Sequence, residues 1–150
     1  MKEKFELNVK WADLKAVIDR IAEINTTTEA IADRCSAERR SHTDEERILC
    51  NNLWRERREL DKKYDYMRRR VIPEVGIPCT VHYYSDSSAG YIKEVPSPKT
   101  IVVQQDGVYH GIKVFTYRSN GHWVEKGTTS RDWGTLCGLG YQHNYYDRSF

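Results

Sequence analysis

Tyr109–Gly127, YHGIKVFTYRSNGHWVEKG, concentrates residue types that recognise a flat anion such as a nucleotide. Phe115, Tyr117, His122 and Trp123 offer rings on which a base stacks, each contact worth about 1–3 kcal/mol. Arg118 and Lys126 offer charge-assisted donors to phosphate. Asn120 pairs a donor with an acceptor, which matches an adenine edge. The stretch reads as a β-hairpin. Ile112, Val114 and Thr116 alternate with Lys113, Phe115 and Tyr117, the period that sends alternate side chains to opposite faces. Asn120-Gly121 supplies the turn, because both residues tolerate positive φ, and His122–Glu125 returns. A competing reading of the same residues is a sheet whose aromatics fill a core.

The C-terminal half widens the inventory. Tyr83, Tyr84, Tyr141 and Tyr145 add stacking surfaces, Arg131 and Arg148 add phosphate donors, and Asn144 adds a second amide. His110, His122 and His143 could do acid–base work on a phosphodiester. No G-x-S-x-G, H-E-x-x-H, P-loop or Rossmann glycine pattern accompanies them. The expectation is therefore binding without catalysis. Zinc is disfavoured too. Cys79 and His82 lie three apart in a predicted strand and face opposite sides, and Cys137 with His143 forms no C-x-x-C pattern. The expectation is no metal and no cofactor.

Composition narrows the partner. A net charge of +2, with 31% charged residues, gives too weak a field for duplex binding by charge alone. A small enclosed ligand fits better than a long nucleic acid. No apolar run approaches the roughly 20 residues of a membrane span. MKEKFELNVKW lacks a signal-peptide core, so the cytosol is expected. Four scattered cysteines suit a reducing compartment.

Two helices must precede the hairpin. Residues 1–10 read as a short lead-in that frays. From Trp11, the residues Val17, Ile21, Ile24, Thr28, Ile31 and Cys35 repeat at heptad-like steps, and Asn25–Thr28 is expected to loosen the middle. Ala37–His42 reads as a connection. Thr43-Asp44-Glu45-Glu46 is a capping box that opens a second helix, expected to run to about Arg70 before Val71-Ile72-Pro73. Leu49, Leu53, Leu60, Tyr64, Met67 and Val71 make its stripe. The basic residues from Arg55 to Arg70 interleave with acids, as in Glu59–Lys63 and Asp65–Arg69, and read as a solvated face. An antiparallel helical hairpin with such thin seams needs a partner surface, so a homo-oligomer through these helices is expected; packing within one chain is the alternative.

Composition shifts at Pro73–Pro78. Strands are expected at Cys79–Tyr84, Gly90–Val95 and Thr100–Gln105, followed by the hairpin, in a meander or SH3-like barrel. Glycines 134, 138 and 140 break any regular element in the tail. Its aromatic end, Tyr145–Phe150, is expected to dock onto the sheet or a neighbour. The fold class is thus α+β. Residues 1–72 form an oligomerising helical hairpin, and 73–150 form an antiparallel β ligand-binding core with a docked tail.

GIPCTVHYYSDSSAGYIKEV (Gly76–Val95), KTIVVQQD (Lys99–Asp106), FTYRSNGHWVEKG (Phe115–Gly127) and GYQHNYYDRSF (Gly140–Phe150) resemble the first type of Thoeris anti-defence protein, a family of small phage proteins. The resemblance covers about half the chain. It implies a sponge in the host cytoplasm that binds cyclic ADP-ribose isomers made by bacterial TIR-domain immune enzymes and does not cleave them. It also implies oligomers through the helices, ligands at subunit boundaries and, in some members, cyclic oligonucleotides at separate sites. Asn120 matches the family's recognition asparagine; the ring preceding it corresponds to Phe115 or else His110. The chain departs from the family at Tyr141-Gln142, where adjacent arginines are usual, and at Ser87-Ser88, where a basic residue is usual. Arg118, Lys126, Arg131 and Arg148 are the cations left to substitute. Two other readings remain: an SH3-like module for nucleic acid or protein, and a cyclic-nucleotide phosphodiesterase.

Overall fold

The computed structural model describes residues 4–128 and 134–148. The chain divides into two compact units. One is helical, residues 12–66. The other joins the N-terminal segment to everything from residue 67 onward.

In the helical unit, α1 spans Trp11–Ala37 and α2 spans Asp44–Met67. The Asn25–Thr28 run does not loosen α1. Thr26, Thr27 and Thr28 each donate a hydroxyl to the carbonyl four residues back, at 3.0 Å, so β-branched polar residues are absorbed into the helix. The end of α1 is a Schellman motif: Arg40 N–H donates to Cys35 O at 3.0 Å and Arg39 N–H to Ser36 O at 3.2 Å. Arg39 takes the left-handed position, φ 51°, which glycine ordinarily fills. The start of α2 is the reciprocal capping box. Glu46 N–H donates to Thr43 Oγ1 at 3.1 Å, and Thr43 N–H to Glu46 Oε1 at 3.0 Å. Arg40 also donates to Glu46, at 2.6 Å. That contact first, and the Thr43 backbone second, hold the Glu46 carboxyl down at about 2.

Between the helices, Arg20 clasps Glu56 through two donors at 2.7 and 2.8 Å, and Ile31, Cys35 and Cys50 cluster. The α1 seam is buried at Leu14, Ile24, Ile31 and Cys35. The expected α2 stripe is not buried to match: Leu49 is 45% exposed and Cys50 is the buried position of α2. The helix stops at Met67 rather than Arg70, and Glu59 pairs with Lys62 rather than Lys63.

The second unit is a closed six-stranded barrel of simple meander order. Its strands are β1 (Pro78–His82), β2 (Ser87–Ser97), β3 (Thr100–Asp106), β4 (His110–Tyr117), β5 (Trp123–Glu125) and β6 (Leu136–Leu139). All neighbours run antiparallel, and β1 pairs with β6 to close the ring. Closure leaves no open sheet edge. Alternate residues point inward, among them Cys79, Val81, Ile92, Ile101, Val103, Phe115, Trp123, Cys137 and Leu139. Residues 4–10 of the N-terminal lead-in do not fray. Val9 bridges Val71, and Ile72 N–H donates to Val9 O at 2.8 Å. The tail lies on the outside of β1 and β2: Thr80 Oγ1 donates to Tyr141 O at 2.8 Å, and Asn144 Oδ1 accepts from Ala89 N–H at 2.9 Å.

Two local devices of the helical unit can be weighed directly. Arg39→Gly relieves the left-handed strain and is expected to stabilise the unit by about 1 kcal/mol. Thr43→Ala removes the cap and is expected to destabilise it by about 1 kcal/mol. Urea titration followed by helix circular dichroism measures both, and opposite signs are required.

Candidate functional site

The hairpin turn differs from its sequence reading. Gly121 N–H donates to Arg118 O, and Arg118 N–H to His122 O, both at 2.9 Å. That makes a three-residue loop, Ser119–Gly121, with Gly121 alone at positive φ, 83°. Asn120 is not left-handed; its Oδ1 accepts from His122 N–H at 3.1 Å. The amide oxygen thus holds the turn.

Beside this turn lies a cleft of about 190 Å³. Three pieces of chain make its walls. Arg68 and Arg69 follow α2, Gly121–Trp123 form the end of the hairpin, and His82, Tyr141 and β6 complete it. The pairing that closes the barrel brings these pieces together, since His82 stands opposite Leu136 and Trp123 opposite Cys137. No carboxylate is among the described residues that line the cleft.

His82 is held at both nitrogens, Nδ1 to Ser87 Oγ at 3.1 Å and Nε2 to Tyr141 Oη at 2.5 Å. Burial, and secondarily His143, pushes its pKa down. Burial likewise lowers His122, helped by the positive charges of Arg69 and Arg68. Both imidazoles are therefore neutral at pH 7. The Tyr117 hydroxyl donates to Arg69 O at 2.6 Å; burial raises its pKa, which keeps it a neutral donor. The Tyr117 ring packs on Trp123 at 5.1 Å. Phe5 lies against the guanidinium groups of Arg69 and Arg70, 4.7 and 4.3 Å from its centroid, contacts worth about 0.5–2 kcal/mol each. The phenol of Tyr141 rests on Gly138, where an added Cβ would come within 2.3 Å of Oη. The glycine that seemed to break the tail is what lets this ring approach.

Of the expected ligand residues, Trp123 and Tyr141 line the cleft. Phe115 and Tyr117 do not face solvent: at 0% and 7% exposure they fill the barrel interior, because the pleat turns that parity of β4 inward. The core reading of these two rings replaces the stacking one. His110 begins β4 on an exposed face, away from the cleft. Arg118 donates to Thr128 O at 2.9 Å, and its Nε is buried without a partner among the described residues. Lys126 and Arg148 are exposed and do not line the cleft. Arg131 lies outside the described residues. Arg68, Arg69 and His82 are not among the expected ligand residues, and His122 is expected as a stacking ring or an acid–base group. The arginines read as a helix end, and their position past Met67 became visible only with the tertiary fold.

Cys79 and Cys137 are buried free thiols, and no cluster of three metal-ligating side chains occurs among the described residues. No helix among them is long and apolar enough to cross a membrane.

No family model, no curated protein and no solved structure matches this chain.

The cleft depends on Gly138. Gly138→Ala is expected to displace Tyr141, rehydrate His82 and raise the His82 pKa toward its ordinary value of about 6.5. An NMR titration of the His82 ring carbon measures this; an unchanged midpoint would contradict the packing described.

Proposed function

We propose that this protein is a non-catalytic sponge. It binds a cyclic nucleotide immune signal in the cleft beside the hairpin turn and withholds it from its receptor in the host cytoplasm, blocking bacterial anti-phage defence. The observation that carries the reading is the cleft's composition. Two arginines and two neutral histidines share it with the Tyr141 ring, and no carboxylate lines it among the described residues. Cations and imidazoles suit phosphate, and rings suit a base. The resemblance in the β-half supplies the class of signal, a cyclic ADP-ribose isomer, with cyclic oligonucleotides as a further class.

Binding is favoured over turnover because both nitrogens of His82 are already engaged. The cleft is smaller than the roughly 300–1,000 Å³ of a site that encloses a whole drug-sized ligand. It takes a phosphate with part of a nucleoside, and a second subunit covers the remainder. Exposed Ile48 (61%) and Trp54 (48%) on α2 support assembly through the helices. A second reading, a module for single-stranded nucleic acid or protein, rests on exposed Tyr84, Tyr145 and Tyr146. Salt separates the two: oligonucleotide affinity steepens with phosphate number, whereas a sponge ignores linear oligomers.

Calorimetry against a panel of cyclic nucleotides tests the reading. Sub-micromolar binding of one cyclic ADP-ribose isomer is expected, with the ligand recovered unchanged after heating; a cleaved product would place the protein among enzymes. Arg68→Gln is expected to weaken binding about tenfold. Asn120→Asp keeps the turn acceptor and should leave affinity within about twofold. Light scattering at micromolar concentration should give a mass above the monomer.

The two histidines add a pH signature. Their folded pKa values lie below about 6.5, so a bound anion favours protonation and affinity should rise as pH falls from 7.5 to 5.5. A flat profile would exclude both rings from the ligand.

A further inference from the structure

Residues 4–10 form no helix or strand, yet three sets of backbone bonds hold them. Phe5 N–H donates to Ser119 O at 3.2 Å. Asn8 and Val9 N–H both donate to Arg70 O at 2.9 Å, and Ile72 N–H donates to Val9 O at 2.8 Å. The segment is a strap laid across the Arg68–Arg70 backbone, with one end on the hairpin turn.

Phe5 is its working side chain. The ring faces the guanidinium groups of Arg69 and Arg70. A Cβ added at Gly121 would come within 2.8 Å of the same ring and 3.2 Å of Arg69 Cβ. One ring therefore fills the space between the arginines and the turn that lines the cleft. Arg69 is fixed from the other side by the Tyr117 hydroxyl on its carbonyl. Its Nε is buried and has no hydrogen-bond partner among the described residues. With Nε enclosed, the terminal N–H groups are the donors that Arg69 can offer to an anion in the cleft it lines.

We propose that Phe5 is the positioning residue of the anion site: its ring holds the Arg69 guanidinium at the cleft so that the terminal N–H groups donate to an oxyanion of the ligand. The inference rests on the anion-binding reading of the cleft and deepens it. It names a phosphate oxygen as the partner of Arg69 and makes the N-terminal strap part of the site. Arginine has many rotamers, and a π face on one side removes most of them before the ligand arrives.

The test uses the full chain, titrated with inorganic pyrophosphate and with ADP-ribose. Wild type is measured first. If it binds neither probe, the anion-binding reading falls with this one. If it binds, Phe5→Leu, which keeps apolar bulk against Gly121 but has no π face, is expected to weaken pyrophosphate about tenfold. Arg69→Gln should lose about the same factor. The double variant should be no weaker than the weaker single variant, because both changes remove one contact. Phe5→Trp should restore binding, since the cation–π contact is retained. Undiminished binding by Phe5→Leu, or losses that multiply in the double variant, would overturn the proposal while leaving the anion site standing. A measurement on wild type guards against variants that unfold: pyrophosphate should shift the Arg69 guanidinium N–H resonances, and resonances that do not move overturn the role given to Arg69.

Discussion

The ladder between β1 and β6 is the interaction on which the barrel unit depends. Without it the meander would end in two open edges, and the inward rows of Cys79, Val81, Cys137 and Leu139 would face solvent. β6 is only four residues long. It is paired on both sides, with β1 and with β5. Closing the ring also builds the cleft. It puts His82 opposite Leu136, Trp123 opposite Cys137, and Tyr141 over Gly138.

Aromatic residues in this protein are divided by strand parity. Phe115 and Tyr117 share a face of β4 and are consumed by the core, while Ile112 on the opposite face stands exposed. Trp123 is also buried, yet lies where the interior meets the cleft wall. Tyr117 links the two roles, since its ring packs on Trp123 and its hydroxyl reaches out of the core to the Arg69 backbone. The backbone that carries Arg69 is thereby fixed to the hydrophobic interior.

The helical unit obeys shorter-range rules. Its connection combines a Schellman end, a capping box and Arg40 between Glu38 and Glu46. These groups all lie between Cys35 and Arg47, so local physics suffices to turn the chain. Burial is less complete. Cys50 is the buried position of α2, while Leu49 and Trp54 remain about half exposed.

What could be read without the fold was local. The capping box at Thr43–Glu46, the α1 seam at Ile24, Ile31 and Cys35, the meander of strands and the glycine turn at 121 each depend on residues close in sequence, where spacing and propensity carry the information. The α+β architecture followed from these. The cleft did not. Arg69, His82, His122 and Tyr141 come from four separate stretches, and their meeting is decided by barrel closure and by a strap from the N-terminus. Which face of β4 points inward was equally undetermined, because alternation fixes that two faces exist and not which one the closed ring encloses. Asn120 shows the same division. Its place in a turn was legible from the Asn-Gly pair, while the use of its side chain, as acceptor for the His122 amide, was settled by the three-residue geometry of the loop.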